Sequence, residues 1–146
     1  MAELMNTVDI IGDDALTDAI ILRNITEYRD YSITKIGNSA FWNCSSLSSV
    51  DLRSVTIIAG YAFHNCGALT ALILRDTSKV CVLDNQSALR MESGAPLQKV
   101  YFYVPSALID SYKSATNWST FASKFRALED YTVDGTTTGE LDPNKI

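Results

Sequence analysis

The stretch ITKIGNSAFWNC, Ile33 to Cys44, returns 22 residues later as VTIIAGYAFHNC, Val55 to Cys66. At that shift Thr34 aligns with Thr56, Ile36 with Ile58, Ala40 with Ala62, Phe41 with Phe63, Asn43 with Asn65 and Cys44 with Cys66. The correspondence continues through Leu47 and Leu69, Val50 and Leu72, and Leu52 and Leu74. A period of this size marks stacked coils: each unit carries an apolar face that it cannot bury alone, and hides it against the next.

Within each unit, LSSVDL and LTALIL end in a period of two, so Val50, Leu52, Leu72 and Leu74 are expected inside short strands. Ser49, Asp51, Arg53, Ala71, Ile73 and Arg75 are then expected outside. Leu-x-x-apolar-x-apolar, recurring at a spacing of roughly 20 to 29 residues, belongs to the leucine-rich-repeat class of solenoid. A weaker third copy lies in PLQKVYFYVP, where Leu97, Val100 and Phe102 take the places of Leu69, Leu72 and Leu74 at an offset of 28. The extra residues fall in VCVLDNQSALRMESGAP, which reads as irregular and looped around Ser93 and Gly94.

The ends read as lids for these coils. GDDALTDAIILRNI places Leu16 and Ile20 on one helical face, with Asp13 or Asp14 as N-cap, and ITEYRDYSITKIG reads as a strand or strand pair leading into the first full coil. After Pro105, SALIDSYKSA predicts a helix, and NWSTFASKFRAL predicts a second one carrying Trp118, Phe121, Phe125 and Leu128. The expected architecture is α+β: a short solenoid of two good repeats and one degenerate one between N- and C-terminal helical caps. Its divisions are a capping helix and strand over 1–32, the solenoid over 33–104, a helical cap over 105–130 and an extended or mobile tail over 131–146.

Composition removes several function classes. Hydrophobic residues make up 47% of the chain, enough for a core. Twelve Lys and Arg against 17 Asp and Glu give a formal charge of -5, with no basic stripe to displace counterions, so no nucleic-acid partner is expected. No segment reaches the roughly 18 apolar residues of a membrane span, so no membrane insertion is expected. The opening 22 residues lack a basic leader and carry Asp9, Asp13, Asp14 and Asp18, so the expectation is synthesis in the cytoplasm without a signal peptide.

Catalysis and cofactors are not expected either. Cys44, Cys66 and Cys81 cannot all pair within one chain and show no zinc spacing, so no metal and no disulfide framework are predicted. Cys44 and Cys66 recur at one repeat position and read as small buried core residues. His64 stands where the other unit has Trp42 and has no nucleophile beside it. Asn43 and Asn65 read as a ladder that hydrogen-bonds the turns between coils.

One constellation can recognise something: the outward strand residues. Stacked at about 4.8 Å, Asp51, Ile73 and Tyr101 would form one row, and Arg53, Arg75 and Tyr103 the next. Arg and Tyr are enriched where binding energy concentrates; the alternative is a solvated sheet face.

The phrase Ile-Gly-x-x-Ala-Phe-x-x-Cys-x-x-Leu-x-x-apolar-x-Leu, present as Ile36 to Leu52 and with its Gly shifted as Ile58 to Leu74, resembles the BspA-like leucine-rich-repeat family of bacterial surface proteins. That resemblance implies an adhesion or protein-interaction module and no enzyme. The few repeats, the YVP exit followed by SYKSATNWSTFASKFRAL, and the Gly/Thr/Asp-rich end are similar to small repeat proteins of phage and prophage structural-gene regions. The implied function is a multicopy virion component at the tail or capsid surface, meeting a protein partner or host surface. The alternative is a bacterial cell-surface or secreted adhesion module.

Overall fold

Each coil of the repeat supplies one two-residue strand and one four-residue strand, and the stacking of coils turns these into two parallel sheets. A computed structural model describes residues 10–11, 25–133 and 136–137, and the helix expected from GDDALTDAIILRNI lies outside the described residues. The narrow sheet is β1 (Ile10–Ile11), β3 (Lys35–Ile36), β5 (Ile57–Ile58) and β7 (Val82–Leu83), in that order. The wide sheet is β2 (Glu27–Asp30), β4 (Ser49–Leu52), β6 (Ala71–Leu74), β8 (Tyr101–Val104) and β9 (Phe125–Ala127), again in spatial order. The core lies between the two sheets.

The repeat frame extends one coil further toward the N-terminus than its best copies, since Glu27 pairs with Ser49 and Asp30 with Leu52 at the same 22-residue shift that pairs Ser49 with Ala71. ITEYRDYSITKIG, read as a strand or strand pair, supplies two strands, β2 and β3, one in each sheet. Its inward residues are Tyr28 and Asp30, a polar substitute for Leu52. Buried, Asp30 accepts hydrogen bonds from the Ser32 and Ile33 amides and the Tyr28 and Ser32 hydroxyls, so its carboxylate is satisfied.

Between the strands, the turns are held by backbone bonds from coil to coil. Ser39, Phe41 and Asn43 amides donate to Gly60, Ala62 and His64 carbonyls at 3.0, 2.7 and 3.0 Å, and Phe63 and Asn65 amides repeat this on Ala88 and Arg90. The geometry requires positive φ at Asn43 (61°) and Asn65 (64°), where Asn is tolerated better than most residues. The expected asparagine ladder is present: Asn65 Nδ2 donates to Asn43 Oδ1 at 2.8 Å, and Asn65 Oδ1 accepts from the Glu92 amide at 3.1 Å. Inside these turns Phe41 and Phe63 stack at 5.3 Å, and the free, buried Cys66 donates its thiol to the Phe41 carbonyl.

The third coil departs from the expected register. Leu72 pairs with Phe102, where Val100 was expected, and the offset from β6 to β8 is 30, Ala71 facing Tyr101. A slip of two residues keeps every side chain on its predicted face, so Phe102 and Val104 are still inside, but it moves each outward residue along one row. The surplus chain includes a loop closed by the Met91 amide on the Ala95 carbonyl, with Gly94 at φ 92° in its turn, as the Ser93-Gly94 reading anticipated.

The second cap helix is also corrected. The helix expected after Pro105 exists as a 3-10 turn, Ser106–Leu108, continued by α1 (Ile109–Ser114). NWSTFASKFRAL instead forms a 3-10 segment, Trp118–Lys124, interrupted by non-helical Phe121, and then enters the wide sheet as β9. The open edge of β8 explains the change, because a strand there completes its backbone hydrogen bonds, which a helix would leave unpaired. The apolar spacing survives: Trp118, Phe121 and Phe125 all pack on Phe102. Trp118 Nε1 donates to the Cys81 carbonyl and the Cys81 amide donates to the Tyr112 hydroxyl, while Asn117 Nδ2 donates to the Leu83 carbonyl beside them. Of the predicted tail, β10 (Thr132–Val133) pairs antiparallel with β11 (Thr136–Thr137).

Two outcomes follow from this core. Phe63→Ala removes the ring that Phe41 stacks on in the middle of the ladder and should cost about 3–5 kcal/mol in urea unfolding. Burial first, then the nearby Cys44 thiol and Asp76 carboxylate respectively, pushes the Cys66 and Cys81 thiols up to about 12. Tyr28 and Tyr112 are raised for the same leading reason. The unfolded chain ionises these groups nearer their ordinary 9.0 and 10.0. The thiols' stabilising contribution is therefore complete below about pH 9 and lost toward pH 12, and that of the tyrosines begins to fall only above about pH 10. Melting scans at stepped pH should show Tm falling through that window, and at pH 8 a thiol reagent should react with Cys66 and Cys81 only as the chain unfolds.

Candidate interaction surface

The outer side of the wide sheet gathers cations and aromatics on an acidic chain. Register places Arg29, Asp51, Ile73, Tyr103 and Arg126 in one continuous row across all five strands. This replaces the expected row of Asp51, Ile73 and Tyr101, because the slip in the third coil sets Tyr101 beside Ala71. Tyr103 likewise leaves the row of Arg53 and Arg75. One residue beyond the strands, the same register aligns Tyr31, Arg53 and Arg75.

Around Asp51 these side chains form a closed network. Arg75 grips the carboxylate with two donors, Nε to Oδ1 at 2.7 Å and Nη2 to Oδ2 at 3.1 Å, and the Tyr31 hydroxyl donates to Oδ2 at 2.9 Å. The Arg53 guanidinium lies 4.7 Å and that of Arg75 5.8 Å from the Tyr31 ring centre. Burial first, then the Asp51 charge and its hydrogen bond, pushes the Tyr31 phenol up to about 12, against the opposing pull of Arg75 and Arg29. Burial alone would lower Arg75, and its bonds to Asp51 more than offset that, leaving the guanidinium firmly charged.

Ile73 does not project. It is 1% exposed, covered with Ala71 by Leu128, against which Tyr103 and Tyr131 also pack. Tyr103 is half-buried against the Tyr131 ring at 4.6 Å. The chain's own segment after β9 therefore occupies the middle of the face, and two accessible zones remain. One holds the exposed Arg29 with the half-buried Tyr31 and Arg53, beside an Arg75 side chain that is only 8% exposed; the other holds Tyr101, 41% exposed, with Arg126 stacked 4.4 Å from its ring centre.

Arg29, Tyr31 and Arg126 were not among the residues anticipated. Shifting the repeat one further coil back from Asp51 and Arg53 points to the first two. Arg126 had no such signal, because its segment carries a helical spacing. Among the described residues no group of three or more His, Cys, Asp or Glu side chains is arranged to hold a metal ion, and no helix is long and apolar enough to cross a membrane.

In a comparison with known families, the model for the BspA type leucine rich repeat region (6 copies) aligns with residues 2–86, more than half of the chain. No curated protein matches.

The Asp51 cluster makes a direct stability prediction. Asp51→Ala leaves Arg75 without its fork and Tyr31 without its acceptor. The cost should be about 2 kcal/mol, between the values for exposed and for fully buried pairs. Denaturant unfolding of Asp51→Ala against Arg75→Ala and the double variant would measure the coupling, and purely additive losses would mean the pair is not coupled.

Proposed function

We propose that this chain, which belongs to the BspA-type leucine-rich-repeat family, is a non-enzymatic module that binds a protein partner through the outer face of its wide sheet. Family membership supports a protein-binding or adhesion role. The observation that carries the choice of face is its content of Arg and Tyr: Arg29, Arg53, Arg75, Arg126 and four tyrosines, 31, 101, 103 and 131, with Glu27 and Asp51 on the strands and Glu129 and Asp130 in the segment that covers them. Such a concentration of Arg and Tyr is what binding hot spots use.

Area sets the mode of binding. Five strands about 4.8 Å apart and three or four residues long make a face of roughly 300 Å², well below the roughly 800 Å² per partner of a standard interface. A single copy is therefore a weak binder, and useful attachment comes from many copies displayed together. A bacterial surface supplies such a display, as BspA-type repeats are often surface-associated. The finer reading, a phage or prophage virion component, rests on the C-terminal sequence resemblance alone, and recovery of this chain's peptides from purified particles would support it over the surface module.

The face is tested with side chains that are exposed and carry no core packing. Tyr101→Ala with Arg126→Glu should reduce attachment of protein-coated beads to partner-bearing cells at least tenfold with Tm unchanged. Val82→Glu, on the narrow sheet, should leave attachment intact. Equal attachment by both variants would move the binding surface elsewhere.

A further inference from the structure

Arg53 and Arg75 occupy equivalent positions in successive coils but have opposite fates. Arg75 reaches diagonally to Asp51 in the preceding coil, and it does so with Nε and Nη2, the side-on edge of the guanidinium. On Arg53 those same two atoms are buried and have no hydrogen-bond partner among the described residues. The repeat explains the difference: the diagonal that leads from Arg75 to Asp51 leads from Arg53 to Arg29, a cation in the place of the acid.

Among the described residues no neighbouring acid is placed to compensate. Asp51 is already engaged by Arg75 and by Tyr31. Glu27, at the far end of β2, stands four residues before the level of Tyr31 and Arg53, about 13 Å along the strand. The Arg53 head is nonetheless held in place. It stacks on Tyr31, whose own hydroxyl is tied to Asp51, and the next residue, Ser54, donates its hydroxyl to the Tyr31 carbonyl at 2.7 Å.

Resting on the reading of this face as the binding surface, we propose that the side-on edge of Arg53, flanked by Arg29 and Arg75, is a carboxylate subsite that takes an Asp or Glu side chain of an acidic segment of the protein partner. Two parallel N–H···O bonds from one guanidinium edge to one carboxylate are the geometry that Arg75 already displays one coil away. Three arginines against one aspartate leave the zone positive, so an acidic segment is drawn to it. The edge is shielded in the free protein, and the residue as a whole is half-buried. A carboxylate therefore reaches the edge only as the guanidinium turns out of the position it holds against Tyr31 in the free protein.

The test uses the full chain and a fluorescein-labelled hexaglutamate peptide, with hexaglutamine as the neutral control, read by fluorescence polarisation at low and moderate salt. Wild type should bind hexaglutamate and not hexaglutamine, and more weakly as salt rises. Arg53→Met should weaken binding at least tenfold while melting at or above the wild-type temperature, since it removes an unpartnered cation. Arg53→Lys, which keeps the charge and loses the fork, should lose most of that affinity.

Equal binding by wild type and Arg53→Met overturns the subsite, as does full binding by Arg53→Lys. Binding of chondroitin sulfate without binding of the peptide overturns the assignment to a protein segment. If Tyr101→Ala with Arg126→Glu abolishes cell attachment while Arg53→Met retains both attachment and peptide binding, the face is the binding surface and only the Arg53 assignment falls. If neither set of changes affects attachment, the reading of the face itself fails.

Discussion

Everything in this molecule depends on backbone groups that only the next coil can satisfy. A turn such as Gly37–Leu47 makes some bonds within itself, but the amides of Ser39, Phe41 and Asn43 look outward along the stack and find carbonyls of the following unit. Burying a turn of this kind without its neighbour would strand those groups, so the stack is cooperative from coil to coil. Side chains follow the backbone: because the turns superpose, Phe41 meets Phe63 face to face and Asn43 meets Asn65. The C-terminal end then has to stop the ladder, which it does by using polar atoms of Tyr112, Asn117 and Trp118 on Cys81 and Leu83 and by adding β9 to the wide sheet.

The repeat made most of this legible. Positions that recur at 22 residues, Phe41 and Phe63 or Cys44 and Cys66, have one environment, and reading one copy is reading both. The weaker copy was readable only modulo two, since a strand's side-chain period cannot distinguish an offset of 28 from 30 while both keep Phe102 inside. That ambiguity is harmless for the core and decisive for the outer face, where it chooses which side chains are neighbours. The helix expected around Phe125 failed for a related reason. Spacings of 3, 4 and 3 report that Trp118, Phe121, Phe125 and Leu128 share an apolar environment, and an irregular segment folded over the end of a sheet provides one as well as a helix does. Ile73 was unreadable in principle, because what covers it comes from Leu128 and Tyr131, far along the chain.

The outer face shows how a repeat acquires individuality without losing its frame. Inward positions stay buried in every coil, Asp30 included, whereas the outward series Arg29, Asp51, Ile73, Tyr103 and Arg126 changes charge or size at every coil. Each substitution is local, yet its partner is set by the coil beside it. Asp51 is satisfied because Arg75 follows it on the diagonal, and Ile73 is buried because the chain returns over it. The surface is therefore a product of adjacent coils and cannot be read from any single one.

The loop between Met91 and Pro96 sits where the stack is least committed. Before it, Ala88 and Arg90 receive the ladder bonds of Phe63 and Asn65, and after it the Tyr101 amide rejoins the sheet on the Thr70 carbonyl. Apart from the Glu92 amide on Asn65, the bonds the solenoid draws from this stretch lie on either side of an exposed Ser93-Gly94 turn whose added Cβ at Gly94 would meet nothing within 4 Å. Since closing a longer flexible loop costs only about 0.6 kcal/mol per doubling of its length, foreign sequence spliced at that turn would ride on the scaffold as a graft, away from the Arg and Tyr face.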